Sequence, residues 1–197
     1  MPIKPEPDLL AGPFAKRGTL GPRMTAMEDA GKLPPPKTHS GLRVEDRIGI
    51  QAPAEVIWEI IYDLDRWAEW NPTYPNAAGQ IRLGEVLSVT LALPGQPPQA
   101  LKPKVLEWVP NAQLHWELKM MGGLIRTLRY IEIETLASGA CVVDNGEIFG
   151  GLMGPSLGKR MGRAVHRGFR AMNEALKARA EAEWAGRGLT SASPTPT

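Results

Sequence analysis

One long amphipathic segment near the C-terminus constrains this chain more than any other feature. Over 155–184, Leu157, Met161, Val165, Phe169, Met172 and Leu176 recur at intervals of four or three, which predicts a single helix with one apolar stripe. At 1.5 Å per residue such a helix spans about 45 Å. Most of the chain ahead of it reads as strand, and a consecutive antiparallel sheet must bury one of its faces. No other element is large enough to cover that face. A strongly bent sheet wrapped round one helix leaves a gap between them, the usual place for a small molecule.

The order of elements follows from periodicity and turn chemistry. Residues 42–50 alternate, with Val44, Ile48 and Ile50 apolar, and predict the first strand. Pro53 then sits where the first turn of a helix tolerates proline, and Val56, Ile57, Ile60 and Ile61 mark one buried helical face. A second short helix over about 64–70 stops before Pro72. Six strands follow, over roughly 77–83, 85–93, 100–109, 113–120, 125–136 and 140–149. Gly84, Pro94-Gly95, Pro110-Asn111, Gly122-Gly123 and Ser138-Gly139 supply the turns. The fold class is therefore α+β: a curved antiparallel sheet of about seven strands around a long C-terminal helix, with two short helices between strands one and two.

Four runs in this region resemble the START/polyketide-cyclase-like (SRPBCC) superfamily, whose architecture is called the helix-grip fold. Val44 to Trp58, with Ala52-Pro53 and Val56, is similar to the family's strand that ends in "-AP-x-x-V-W-" at the entry to its first helix. Asp63-Leu64-Asp65-Arg66-Trp67-Ala68-Glu69-Trp70-Asn71-Pro72 resembles its second helix, "D-x-x-x-W-x-x-W-x-P". Val105-Leu106-Glu107-Trp108-Val109-Pro110, continuing to Leu114-His115-Trp116, resembles its hairpin. Gly139 to Gly151 resembles its last strand, "G-x-T-x-V-x-x-x-E-x-F-x-G", with Cys141 in place of the usual threonine. The resemblance covers about 42–184. It implies a fold that hosts lipid carriers, cyclases, hydroxylase domains, pollen-allergen-type binders and chaperone activators, so fold alone does not choose the activity.

The last strand carries the most chemistry. If Val143 and Phe149 face inward, a period of two sends Asn145 and Glu147 inward with them. A buried carboxyl without a partner has a raised pKa and can give or take a proton, which makes Glu147 a candidate catalytic group. The structural alternative is an ion pair between Glu147 and Arg129 on the neighbouring strand. Arg129 falls in phase with Ile131 and Ile133, and an inward arginine suits a carboxylate or phosphate head group. His115 is the second candidate for moving protons. Trp58, Trp67, Trp70 and Trp116 are candidates for an aromatic wall or lid, with plain core packing as the alternative. Ile131, Val143, Phe149, Leu157, Met161, Val165 and Met172 complete the expected apolar lining. The chain lacks metal-ligand spacing, a nucleophile elbow and a phosphate loop with its Lys-Ser/Thr ending, so the expectation is no metal and no cofactor. Its single cysteine, Cys141, excludes an intramolecular disulfide and any CxxC motif.

Charge is uneven although the net is only +2. Residues 42–149 carry nine basic and 14 acidic side chains, whereas 155–179 carry seven basic and one acidic. Lys159, Arg163, Arg167 and Arg170 recur opposite the apolar stripe. They fit a transient anionic membrane surface, or simply a solvated helix face. The low net charge and the lack of interleaved aromatics argue against nucleic acid. Residues 1–41 hold eight of the 19 prolines and read as an extended arm or linker, 42–185 as the ligand-binding domain, and 186–197 as a tail. No apolar run matches a signal peptide or a spanning helix, so a cytoplasmic protein is expected. Oligomeric state stays open. The leading expectation is binding, or binding and transport, of a small hydrophobic molecule or lipid between sheet and helix. A cyclase or dehydratase-like enzyme and a protein-interaction or chaperone-activator-type module are the alternatives.

Overall fold

A computed structural model describes residues 40–136 and 139–190. The Pro-rich arm expected over 1–41 therefore lies outside the described residues apart from its last two positions. Strand β1 (Leu42–Ile50) leads through Pro53 into helix α1 (Ala54–Tyr62). A 3-10 turn (Leu64–Arg66) and a one-turn helix α2 (Trp67–Trp70) follow. Then come β2 (Asn76–Ala78), β3 (Ser88–Leu91), β4 (Gln99–Leu101), β5 (Lys104–Val109), β6 (Gln113–Met120), β7 (Ile125–Thr135) and β8 (Cys141–Gly150). Helix α3 (Gly154–Thr190) closes the fold. This is the helix-grip arrangement, with all strand pairing antiparallel.

The strands divide into two hydrogen-bonded groups. Five pair in the order β1-β8-β7-β6-β5 and three in the order β2-β3-β4. An isolated bridge from Val86 to Lys104 and backbone hydrogen bonds around it link the two groups. The strand expected over 100–109 is split because Pro103 has no N–H to donate; its carbonyl instead accepts from the Leu87 N–H at 2.9 Å. Gly79, at a φ of 126°, ends β2 well before residue 83, where the strand was expected to end. The C-terminal helix runs six residues beyond Trp184, to Thr190, into the segment expected to be tail.

Alternation decides what each sheet face meets. On β8, Cys141, Val143, Asn145, Glu147 and Phe149 face the helix, opposite Ile50, Ile48, Asp46, Val44 and Leu42 of β1. The largest core cluster lies at the C-terminal half of α3. There Ile50, Ile57, Ile61, Trp67, Trp116, Ile131 and Val143 pack with Met172, Leu176 and Ala180. A second cluster sits nearer the start of α3, where Leu93 and Phe149 meet Ala164, Val165 and Phe169. Among the described residues, no helix is long and apolar enough to cross a membrane.

The other sheet face is also closely packed around one row. Glu45 of β1, Gly146 of β8 and Tyr130 of β7 are register neighbours, and the Tyr130 ring lies across Gly146. The Tyr130 hydroxyl donates to Glu45 Oε2 at 2.5 Å and accepts from Arg43 Nη1 at 3.2 Å. A side chain at 146 would run into the Tyr130 hydroxyl and ring, and into Glu45 Cβ at 2.9 Å. Gly146→Ala should therefore displace Tyr130 and destabilise the fold by about 1–3 kcal/mol. Urea unfolding with an unchanged slope would measure it, and a wild-type midpoint would refute this account of the row.

Candidate functional site

The site is built on three adjacent strands, β6, β7 and β8, and on the facing stripe of α3. Arg129 is opposite Glu147 on β8 and Trp116 on β6, so all three side chains share the helix-facing side. Arg129 is only 2% exposed, which is unusual for a guanidinium and requires that its donors be met. Nη1 donates to the carbonyls of Tyr130 (2.6 Å) and Gly146 (2.9 Å). Nη2 donates to Asn145 Oδ1 and reaches Met172 Sδ at 3.8 Å. Nε donates to the Tyr74 hydroxyl at 3.3 Å. The Phe169 ring covers the guanidinium face at 3.9 Å, with Trp116 at 5.4 Å. Every N–H of the group thus has a protein acceptor. An arginine in this state anchors the fold and has no donor left for a ligand carboxylate or phosphate.

The network continues into the helix and the first strand. Asn145 Nδ2 donates to Asn173 Oδ1 at 2.8 Å, and Asn173 Nδ2 donates to Asp46 Oδ2 at 2.7 Å. The positive charge of Arg129 is therefore connected through two buried amides to the carboxylate of Asp46. Tyr74 is brought to Arg129 by the loop after α2. Asn71 Oδ1 accepts from the N–H groups of Thr73 and Tyr74, and the Thr73 hydroxyl donates to the Gly168 carbonyl at 2.6 Å. Together these groups fill the space between sheet and helix at this level.

Glu147 stands apart from that network. No ion pair to Arg129 or to any other cation involves it among the described residues, although the two Cα atoms are register partners. Desolvation by burial is the largest influence on its carboxyl and raises its pKa above the usual carboxylate range. A hydrogen bond from Thr127 and the charge of Arg129 oppose the rise without cancelling it. Yet the residue is only half-buried by accessible surface. Its carboxyl is thus desolvated although part of the residue's surface remains accessible. Beside it, Leu42, Val44, Leu91, Leu157 and Met161 are partly buried around the second apolar cluster.

The remaining sequence candidates separate into groups. Phe149, Val165, Leu157 and Met161 belong with the second cluster beside Glu147, whereas Ile131, Val143, Met172, Trp67 and Trp116 belong to the main core. Trp67 donates Nε1–H to the Ile61 carbonyl at 3.0 Å and packs against Trp70, Tyr74 and Trp116. Trp58 stacks on Trp108, with Tyr62 beside both, away from Arg129. Trp70 borders a surface cleft of about 240 Å³ with Glu59, Asp63, Arg66, Arg179, Glu183 and Arg187. Ion pairs cross that cleft, and Arg66 and Arg179 hold the Glu69 carboxyl at a pKa of about 2.

His115 requires a correction. Leu114 and Trp116 face the helix, so the same alternation that aims Glu147 inward sends His115 to the opposite face. There its ring lies edge-on to Tyr130, and Nε2 lies 3.0 Å from Glu132 Oε1. His115 and Glu147 cannot act on one ligand. Among the described residues, no group of three or more His, Cys, Asp or Glu is placed to hold a metal. The basic row is exposed on α3, where Arg170 pairs with Glu174 at 3.0 Å.

Residues 41–181 match the protein family described as polyketide cyclase / dehydrase and lipid transport. The chain belongs to this family. Solved structures agree with the fold of this cyclase and lipid-transport family. A Nitrosomonas europaea protein is 16% identical over 73% of this chain and 97% of its own, with a TM-score of 0.58. A START superfamily protein from Mycobacterium smegmatis is 18% identical over 72% of this chain and 98% of its own, also at 0.58. The Zhui aromatase/cyclase from a Streptomyces species is 17% identical over 72% of this chain and 94% of its own, again at 0.58. At these identities the likeness is one of fold. None of the curated proteins matches the sequence.

Tyr74, Asn173, Asp46 and Thr127 join the site without having been singled out from the sequence. Two of them left a signal. Asp46 interrupts the inward series Val44, Ile48, Ile50, and Asn173 lies beside Met172 and Leu176 on the apolar stripe. Arg129→Met would leave the Asn145, Tyr74 and backbone acceptors without donors in a dry site. It should cost about 3–5 kcal/mol, with Arg129→Lys recovering little because one ammonium cannot span the same acceptors. At roughly 2–4 °C per kcal/mol for a domain of this size, calorimetry should register the loss as a large fall in Tm. A small change in Tm for Arg129→Met would show that the network does not carry the fold.

Proposed function

We propose that this domain binds a small, largely hydrophobic molecule that presents a carbonyl or hydroxyl group to Glu147. The observation that carries the reading is the state of that carboxyl: desolvated, raised in pKa, partly open, and without an ion-pair partner among the described residues. A carboxyl that holds its proton can donate one hydrogen bond and accept another, which suits a neutral polar group better than an anionic one. The partly buried Leu42, Val44, Leu91, Leu157 and Met161 supply an apolar environment for the rest of the molecule. Membership of a family described by cyclases, dehydrases and lipid transport supports the same class of ligand.

A second reading is favoured by the same raised pKa. A carboxyl whose pKa is raised by burial can also give and take protons, as a cyclase or dehydratase would require. The readings part at Glu147→Gln. The amide keeps hydrogen-bonding capacity but cannot transfer a proton, so a binding protein keeps its ligand, with at most altered affinity, while an enzyme loses turnover with binding retained. Native mass spectrometry of freshly purified full-length protein, with organic extraction, tests the primary reading. A co-purified apolar molecule bearing a carbonyl or hydroxyl group is the expected result. An empty protein that also fails to take up a neutral fluorescent fatty-alcohol analogue would defeat it.

The carboxyl also leaves a mark on stability. Its folded pKa lies above that of the unfolded chain, where a glutamate titrates near about 4.3. The folded state therefore holds the proton more tightly, and its contribution is fully present below the unfolded value. That contribution is lost as pH rises through the folded pKa. Glu147→Gln should thus raise Tm relative to the wild type at neutral pH, and the difference should shrink towards pH 4. A Tm difference that grows on acidification would contradict the environment assigned to Glu147.

A further inference from the structure

Two loops meet at the end of the domain where β6 turns into β7 and β8 leads into α3. The Met153 N–H donates to the Leu124 carbonyl at 3.0 Å. Gly151, at a φ of 78°, passes so close that a side chain there would meet the Leu124 oxygen at 2.6 Å. The apolar side chains carried by the joined loops point away from the protein. Leu152 is 83% exposed, Met121 62%, Leu124 43% and Met153 41%. A single exposed apolar residue is ordinary, but four on two bridged loops form a patch. Met121 adds a separate sign. It holds a φ of 51°, in the left-handed region, where a long side chain costs on the order of 1 kcal/mol relative to glycine. That conformation presents a large apolar group to solvent.

The charge around the tip has one sign. Neither 118–131 nor 150–173 contains an aspartate or glutamate. Lys119 and Arg126 share Glu117, and Arg129 is buried. Lys159, Arg160, Arg163 and Arg167 are exposed and make no ion pair among the described residues. Lys159 lies within about 8 Å of the start of α3, and helical side chains lean towards the N-terminus, so the nearest of these cations reach towards the tip.

We propose that this tip docks on the surface of an anionic lipid bilayer. Met121, Leu124, Leu152 and Met153 enter the interface while Lys159, Arg160 and Arg163 meet lipid phosphates. An apolar tip alone would suit many partners. The unpartnered cations beside it, in a stretch of α3 that carries no acid before Glu174, complement an extended anionic sheet. Thr127 and Glu147 lie three and five residues from Leu124 and Leu152, so docking brings the proposed ligand site to the membrane side. The docking itself does not depend on that site.

Co-sedimentation of the full chain with phosphatidylcholine vesicles, and with vesicles of phosphatidylcholine mixed with phosphatidylglycerol, tests the proposal. Binding to the anionic vesicles, weakened by salt, is expected. Met121→Asp combined with Leu152→Asp should reduce it by at least about tenfold. Lys159→Glu combined with Arg163→Glu should reduce it by at least about fivefold per charge. All four side chains are exposed, so Tm should stay at the wild-type value, and uptake of the fluorescent fatty-alcohol analogue from solution should persist. Failure of the wild-type protein to take up that analogue, with vesicle binding intact, would sink the ligand reading and leave docking standing. Absence of anionic-vesicle binding, or equal binding by the tip variants, overturns docking. A dimer in sedimentation velocity that Leu152→Asp abolishes would overturn it too, assigning the patch to contact between copies.

Discussion

A guanidinium with almost no exposed surface has to be answered on every N–H, and that demand organises the middle of this domain. Arg129 meets it with two backbone carbonyls, an asparagine, a tyrosine hydroxyl and a methionine sulfur, with a phenylalanine ring over its face. These partners come from β7, β8, α3 and the loop after α2. Each must be in place before burial of the charge is tolerable, because an unanswered buried cation costs several kcal/mol. The arginine therefore couples the seating of α3 to that of the Tyr74 loop. Asn173 and Asp46 extend the coupling to β1.

That arrangement explains why Glu147 is available. A buried arginine opposite a glutamate would ordinarily form an ion pair with it, which would lower the carboxyl's pKa and neutralise both groups. Here the guanidinium is turned to Asn145 and to the carbonyls beside it, and the carboxyl feels Arg129 only through space. Desolvation then outweighs attraction. The two groups are thus separated: the arginine holds the fold, and the carboxyl keeps no ion pair among the described residues.

Much of this was legible from periodicity. The long stripe on α3, the alternation on β1 and β8 and the turn glycines bring Arg129, Asn145 and Glu147 to one face without reference to coordinates. The same rule places His115 on the other face, because Leu114 and Trp116 are its inward neighbours. What periodicity could not supply was how the arginine's donors are shared. Pairing with Glu147 and pairing with Asn145 are equally consistent with the alternation. The choice depends on side-chain torsions and on Tyr74, whose position is set by an Asx turn at Asn71 in a loop with no period. The division of the strand over 100–109 between the two groups lies beyond periodicity for a simpler reason: Pro103 removes one donor inside an otherwise acceptable strand.

The closeness of helix and sheet has its own chemistry. A side chain at Gly158 would meet Leu42 and the Phe149 ring at 3.0 Å, and one at Gly162 would meet Val44 at 3.4 Å. Each glycine inside a helix costs about 1 kcal/mol relative to alanine. What offsets that cost is close contact between α3 and the row Leu42–Phe149, next to Glu147. Larger residues at these positions would favour the isolated helix but press on Leu42, Val44 and Phe149 and lift it from β1. The intrinsic stability of α3 and its distance from β1 are thus set by the same two positions. A helix weakened in its first turns is held down by the sheet rather than by its own propensity.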